Sequence, residues 1–211
     1  MISKEEYLRD PCGTASVPYW KAVRIAVPEN MKIVHENDFH PEMLKQYVDE
    51  PYFRLRHDLQ TLEPVKLPEG YSMCQGTVEV YAAHICECYG NGITAAEVLD
   101  FTKREVYCPE LWLALRDDQT GKIAATGIGE LDKELGEGVL EWIQVSKEYR
   151  GQGLGSFIVG ELLRRMKGLA GFATVSGQCN HPSAPEKLYR KRGFYGDDVW
   201  HILTEAREVP G

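Results

Sequence analysis

The sequence predicts an α/β (α+β) domain over residues 69–211, preceded by an N-terminal extension over residues 1–68. Three features predict it. Beyond residue 70, strand-like and helix-like runs follow in the order β-α-α-β-β-β-α-β-α-β. The run "LWLAL" (Leu111–Leu115) is apolar on both faces, which suits a sheet covered on both sides. Between a strand-like and a helix-like run stands "RGQGLG" (Arg150–Gly155), where alternate glycines imply that bare backbone is needed.

The chain has 211 residues, enough for one large domain or for a core domain with an extension. Hydrophobic residues make up 43% and charged residues 27%, as in ordinary globular proteins. A net charge of -8 argues against nucleic acid or an anionic membrane as a bulk partner, since phosphate surfaces select clustered Lys and Arg. No apolar run approaches the length of a membrane span, and "MISKEEYLRD" lacks a signal-peptide core. The expected location is therefore cytoplasmic. Cys12, Cys74, Cys86, Cys88, Cys108 and Cys179 are scattered and fit no CxxC pattern, so reduced thiols are expected.

The extension is expected to hold a short strand near "MKIVHE" and a helix near "PEMLKQYVDE". "TLEPVKLPEG" (Thr61–Gly70), with two prolines and a glycine, reads as a linker. "GYSMCQ" follows as a strand, then "TVEVYAAHICECYGNG" as a helix stopped at Gly90. "ITAAEVLDFTKREV" has a capping box, Thr94 with Glu97, and a staple pair, Ile93 with Val98. "ELWLALRD" and "KIAATGIGELD" are strands joined by the turn "DQTG", and "GVLEWIQVS" is a third. Val159, Leu162, Leu163 and Met166 then recur at helical spacing, with Gly168 as the stop. "FATVSG", "SAPEKLYRKRG" and "DVWHIL" complete the chain as strand, short helix and strand.

A strand–glycine–helix turn suits an anion. The first helical amides lack internal partners and carry partial positive charge, and glycines let a phosphate approach closely. A P-loop needs GxxxxGK[ST], and no Lys-Ser or Lys-Thr pair follows. A dinucleotide fingerprint needs GxGxxG, whereas these glycines run GxGxG, and no acidic residue stands near Gly171 and Phe172. The remaining pattern is the acyl-CoA loop [QR]-x-x-G-x-[GA], matched by Arg150, Gly153 and Gly155.

On these residues the sequence resembles the GNAT superfamily of N-acetyltransferases. "VSKEYRGQGLGSFIVGELL" is similar to that family's pyrophosphate loop and following helix, and "LYRKRGF" to its LYxKxGF segment. The resemblance spans about Gly70 to Leu203 in element order. It implies a mixed, mostly antiparallel sheet with splayed central strands and helices on both faces. It also implies acetyl-CoA as the acyl donor. The implied donor contacts are the backbone near Ile143 and Val145 for the pantetheine arm, and the amides of Arg150, Gly151, Gln152, Gly153, Leu154, Gly155 and Ser156 for the pyrophosphate. Asn180 matches an asparagine that contacts the pantetheine or the tyrosine helix, with a loop-capping asparagine as the other reading. Apart from the resemblance, the basic runs "LLRRMK" and "YRKR" read as helix faces, yet Lys187, Arg190 and Lys191 could meet the 3′-phosphate of CoA.

An amine acceptor with a pKa near 10.4 needs about 4.6 kcal/mol to lose its proton at neutral pH, so a general base is expected. Glu141 is the candidate, sharing strand parity with Val139, the place of the catalytic Glu in several family members. Glu137 and His201 stand in reserve. A solvated strand residue is an equal reading of Glu141. Tyr189 matches the family's tyrosine at the leaving sulfur. A phenol protonates a thiolate uphill by about 2 kcal/mol, so either a hydrogen bond to sulfur or a proton transfer fits, as does a core aromatic.

His84 and Cys88 stand one helical turn apart in "HICEC", but two ligands are not a metal site, and helix core is the expectation. Trp20, Trp112, Trp142 and Trp200 read as packing rather than ligand stacking. Trp200 and His201 are candidates to line an acceptor pocket, and "DPCGTASVPYW" reads as a packing arm or an acceptor cover. The expected function is acetyl transfer to an amine, on a small molecule or a protein, by direct attack. A non-catalytic acyl-CoA sensor or scaffold is the alternative. No metal is expected, and a homodimer is compatible.

Overall fold

The computed structural model describes residues 2–90 and 92–206. Residue 91, just past the expected Gly90 helix stop, and residues 207–211, the end of the expected domain, lie outside the described residues. The chain forms two compact units. One comprises Met1–Arg56, Thr174–Arg190 and Phe194–Gly211, and the other His57–Ala173 and Lys191–Gly193. The fold is mixed α/β with mostly antiparallel strands, as the sequence predicts.

The first unit opens with three short helices, α1 (Lys4–Arg9), α2 (Pro11–Thr14) and α3 (Tyr19–Ala22). Ser3 and Glu6 form a capping box on α1, and Asp10 caps α2 through the Gly13 amide. Strands β1 (Met31–His35) and β2 (Tyr47–His57) follow. The helix expected at "PEMLKQYVDE" is instead one 3-10 turn, Pro41–Lys45, and β2 begins at Tyr47. Pro51 would break a helix, and the β-formers around it pair with a later strand.

The second unit holds β3 (Tyr71–Cys74), α4 (Val78–Tyr89), α5 (Ala95–Phe101), β4 (Tyr107–Asp117), β5 (Ile123–Asp132), β6 (Glu137–Val145) and α6 (Leu154–Met166). Its strands run β6-β5-β4-β3, each pair antiparallel. Thr94 and Glu97 make the expected capping box, and Gly90 ends α4 in the left-handed conformation. β5 shows how both faces are covered. Position 127 abuts Ile158 and Leu162 of α6, while its neighbour Ile128 packs with Tyr81, Ala82 and Ile85 of α4. Alternation therefore puts the two helices on opposite faces.

The chain closes with β7 (Phe172–Gln178), in which the division between the units falls, then α7 (Pro185–Lys191) and β8 (Tyr195–Glu205). Within the first unit β8 lies between β1 and β2, antiparallel to both, and His201 faces Val34 on one side and Pro51 on the other.

The expected linker, Thr61–Gly70, is a packed strap. It runs antiparallel along α6: Lys167 Nζ donates to the Gln60 carbonyl at 3.0 Å, Val65 lies against Gly160, and Pro68 against Gly153. Gly160 is needed because a Cβ there would stand 2.2 Å from Val65 Cγ1. The strap covers Gly160, which α6 buries in addition to the predicted apolar face. Glu161 tolerates burial because Arg164 and Arg165 bind it at 2.7 and 2.8 Å, and the Arg164 bond above all holds its carboxyl below the usual range.

Candidate functional site

The glycine loop is built as its sequence requires. After β6 come Ser146, a 3-10 turn at Lys147–Tyr149, and Arg150. Gly151 and Gly153 take φ of 79° and 86°, a region that side-chain-bearing residues avoid. Gly153 is the N-cap of α6, and no side chain caps the helix. The amides of Leu154, Gly155 and Ser156 thus open a 13-residue helix with partial positive charge. The loop is held from below. Tyr149 is buried and donates its hydroxyl to Asp117 Oδ2 at 3.2 Å. Tyr71 meets Tyr149 edge-on and donates to Gln152 Oε1 at 2.6 Å. Arg150 Nε folds back onto the Val145 carbonyl at 3.2 Å.

A buried polar network supports the strand end that feeds the loop. His84 Nδ1 and Nε2 lie 2.8 Å from Thr126 Oγ1 and Ser146 Oγ, and Gln144 Nε2 donates to Thr126 at 2.5 Å. Burial pushes the His84 pKa down, so the ring is neutral, one nitrogen donating and the other accepting. His84, Glu87 and Cys88 have ligand atoms within 4.8 Å of one another. Both His84 nitrogens are nevertheless already hydrogen-bonded, and burial raises the Cys88 thiol to about 11, against thiolate ligation.

Ser146 N–H donates to Ala124, toward β5. Alternation then turns the peptide groups of Ile143 and Val145 to the opposite edge of β6. There Tyr89 Oη donates to the Ile143 carbonyl at 3.1 Å, and Arg150 takes that of Val145. Burial raises the Tyr89 phenol to about 12, keeping it a donor. Parity does not place Glu141 as expected. Ile128 pairs with Trp142 but Gly129 with Leu140, so Glu141 is the extra residue of a β-bulge. The bulge breaks the simple alternation that linked Glu141 to Val139. It also places Glu141, half-buried, two residues from Ile143. Glu137 lies six residues away, on the order of 20 Å along the strand.

In the first unit, Tyr189 is buried on α7 between Phe53 and Phe194, with ring centroids 6.1 and 5.7 Å away. Asn180 is exposed in the turn after β7, and Lys187 is exposed on α7. Arg190 is engaged by Glu186 at 2.8 Å and by the Gly196 carbonyl at 2.8 Å. His201 is corrected as a reserve base: Asp49 and Glu36 occupy its two nitrogens at 2.8 and 2.7 Å. Trp200 donates to the Cys12 carbonyl at 2.8 Å and lines a cavity of about 390 Å³ with Asp10, His35, Asp38 and Asp198. "DPCGTASVPYW" is a packing arm. Buried Arg54 donates to the Pro11 carbonyl at 3.3 Å and to Tyr7 Oη at 2.6 Å.

Sequence reading missed Tyr71, Tyr89 and Arg192. Arg192 stands in "LYRKRGF", immediately before Gly193, and both its Nε and Nη2 reach Ser156 Oγ, at 2.8 and 2.7 Å. The basic run was the signal, but only backbone direction decides which of its side chains turns toward α6.

The protein is thus an α/β fold in which a glycine-turned helix N-terminus, left without a side-chain cap, follows a β-strand. Residues 79–194, more than half of the chain, match the Acetyltransferase (GNAT) family, and the protein belongs to that family. Among solved structures, a GCN5-related N-acetyltransferase from Sphaerobacter thermophilus aligns with a TM-score of 0.68 at 21% identity, over 91% of this chain and 65% of that one. A tandem GNAT protein from the clavulanic acid biosynthesis pathway aligns with a TM-score of 0.59 at 16% identity, over 80% and 58%. A putative GNAT acetyltransferase from Novosphingobium aromaticivorans aligns with a TM-score of 0.54 at 14% identity, over 87% and 71%. This chain spans 65% and 58% of the first two structures. No curated protein matches. Among the described residues no helix is long and apolar enough to cross a membrane.

Proposed function

We propose that this protein transfers an acetyl group from acetyl-CoA to an amine by direct attack, in the cytoplasm. The observation that carries this reading is the uncapped N-terminus of α6 behind Gly151 and Gly153, which presents amides to a diphosphate. In this reading the amides from Arg150 to Ser156 hold the diphosphate, and the outer edge of β6 at Ile143 and Val145 takes the pantetheine arm. Asn180 and Lys187 contribute from the segment after β7. Residues 1–68 extend the transferase domain of residues 69–211.

The amine nitrogen attacks the thioester carbonyl, and the C–S bond breaks as the C–N bond forms. The nitrogen gives up a proton to Glu141, directly or through water. The departing thiolate takes one from Tyr189, or a hydrogen bond from it, and leaves as CoA. Preorganised donors at the loop favour the oxyanion that develops on the carbonyl.

The test is CoA release from acetyl-CoA across a panel of small amines and peptides, wild type against Tyr189→Phe. Turnover with at least one amine is expected, falling roughly 10²-fold in the variant, the scale of a lost general acid. Tight acetyl-CoA binding without turnover across the panel would instead establish the sensor reading.

A further inference from the structure

Arg192 sits where a cation is unwelcome. Ser156 is the third residue of α6, in the turn that carries the helix's partial positive charge. Both Nε and Nη2 of Arg192 donate to the Ser156 hydroxyl, a neutral group. Among the described residues no carboxylate pairs with this guanidinium. Two of its five donors are used, and a planar fork remains whose shape matches phosphate oxygens. The backbone is fixed as well. His57, buried at 2% exposure, accepts from the Leu59 amide at Nδ1 and hydrogen-bonds the Arg192 backbone. A structural tie alone would not need a guanidinium. A cation anchored from behind at the positive end of a helix becomes favourable once an anion is shared between them.

We propose that Arg192 is a direct ligand of the donor's diphosphate, with the Ser156 hydroxyl holding the side chain ready. The proposal rests on the reading that the α6 N-terminus receives the acyl donor, and it adds a charged side chain to a cradle of backbone amides. It also separates Arg192 from its basic neighbours: Arg190 is tied to Glu186 and the Gly196 carbonyl.

Calorimetric titration of wild type, Arg192→Gln and Arg192→Lys tests it, with CoA, dephospho-CoA, pantetheine and inorganic pyrophosphate as probes. Thermal melts check each variant's fold. Arg192→Gln is expected to weaken CoA and dephospho-CoA alike, by about tenfold, the scale of a lost charge-assisted hydrogen bond. Pantetheine, without a diphosphate, is expected to be unaffected, and Arg192→Lys to fall between. Equal CoA affinity in wild type and Arg192→Gln would overturn the proposal. So would a loss confined to CoA, which points to the 3′-phosphate, or an equal loss for pantetheine, which marks a structural tie. Should Arg192→Gln not fold, the same contrast read on Arg192→Lys decides. Should wild type bind none of the CoA compounds, the acetyltransferase reading and this proposal fall together, whereas CoA binding that Arg192→Gln leaves unchanged overturns this proposal alone.

Discussion

At the scale of residues, His201 shows what a side chain does when its chemistry is fully engaged. Burial would lower its pKa, but hydrogen bonds to Glu36 and Asp49 outweigh this and raise it above the ordinary 6.5. Phe39 stacks on the ring at 3.8 Å, so the segment carrying Glu36 is clasped to β8. A raised folded-state pKa means the proton is held more tightly in the folded protein. The associated stability is complete below pH 6.5 and drains away as pH climbs through the raised value. The melting temperature of wild type is therefore expected to fall across that interval, and that of His201→Gln to be flatter. Equal pH slopes for the two proteins would show that the clasp contributes nothing. The same reasoning removes His201 from the list of bases, because each nitrogen already faces a carboxylate.

At the scale of elements, α6 and its strap carry the argument. Replacing Gly160 by Ala adds helix propensity worth about 1 kcal/mol. It also drives a methyl to 2.2 Å from Val65 Cγ1, on a stiff β-branched side chain that cannot swing aside. Overpacking costs about 1–3 kcal/mol and exceeds the gain, so Gly160→Ala is expected to lower the urea midpoint. Adding Val65→Ala should recover most of the loss, a coupling that a double-mutant cycle measures directly. If Gly160→Ala raises stability by itself, the strap does not press on α6. The strap also marks where the sequence stops being legible. Glycines, capping residues and period-3.6 stripes announced α4, α5 and α6, and strand-like apolar runs announced every strand from β3 to β8, since those signals are local. Two prolines in ten residues gave only an irregular segment, because what such a segment packs against is decided by tertiary contact. The bulge at Glu141 was hidden for a related reason: register is set by the partner strand, and one extra residue undoes a parity argument. The glycine-turned start of α6 was readable from Arg150 and its glycines. Arg192 was not, because its meaning lies in the hydroxyl it reaches.

At the scale of the whole molecule, the chain's charge of -8 works against its proposed donor, a polyanion, and for a cationic acceptor. The two effects separate with salt. At about 0.01 M the Debye length is about 30 Å, so the donor feels the repulsion of the entire chain. Near 0.1 M it shrinks to about 10 Å, which mutes that repulsion while Arg150, Arg192 and the α6 amides still act at contact distance. Further salt weakens those contacts too. Donor affinity measured by titration calorimetry is therefore expected to rise from low salt toward about 0.1 M and then fall. For a dicationic amine, kcat/KM should only decline over the same range, by up to about tenfold, since long-range attraction is all it has to lose. A donor affinity that falls steadily from the lowest salt upward would mean that the basic cradle, and not the net charge, governs the encounter at every distance. Repeating the titration with Arg192→Gln then isolates the contact part: the variant's high-salt decline should be shallower, because one of the cations that salt screens has been removed.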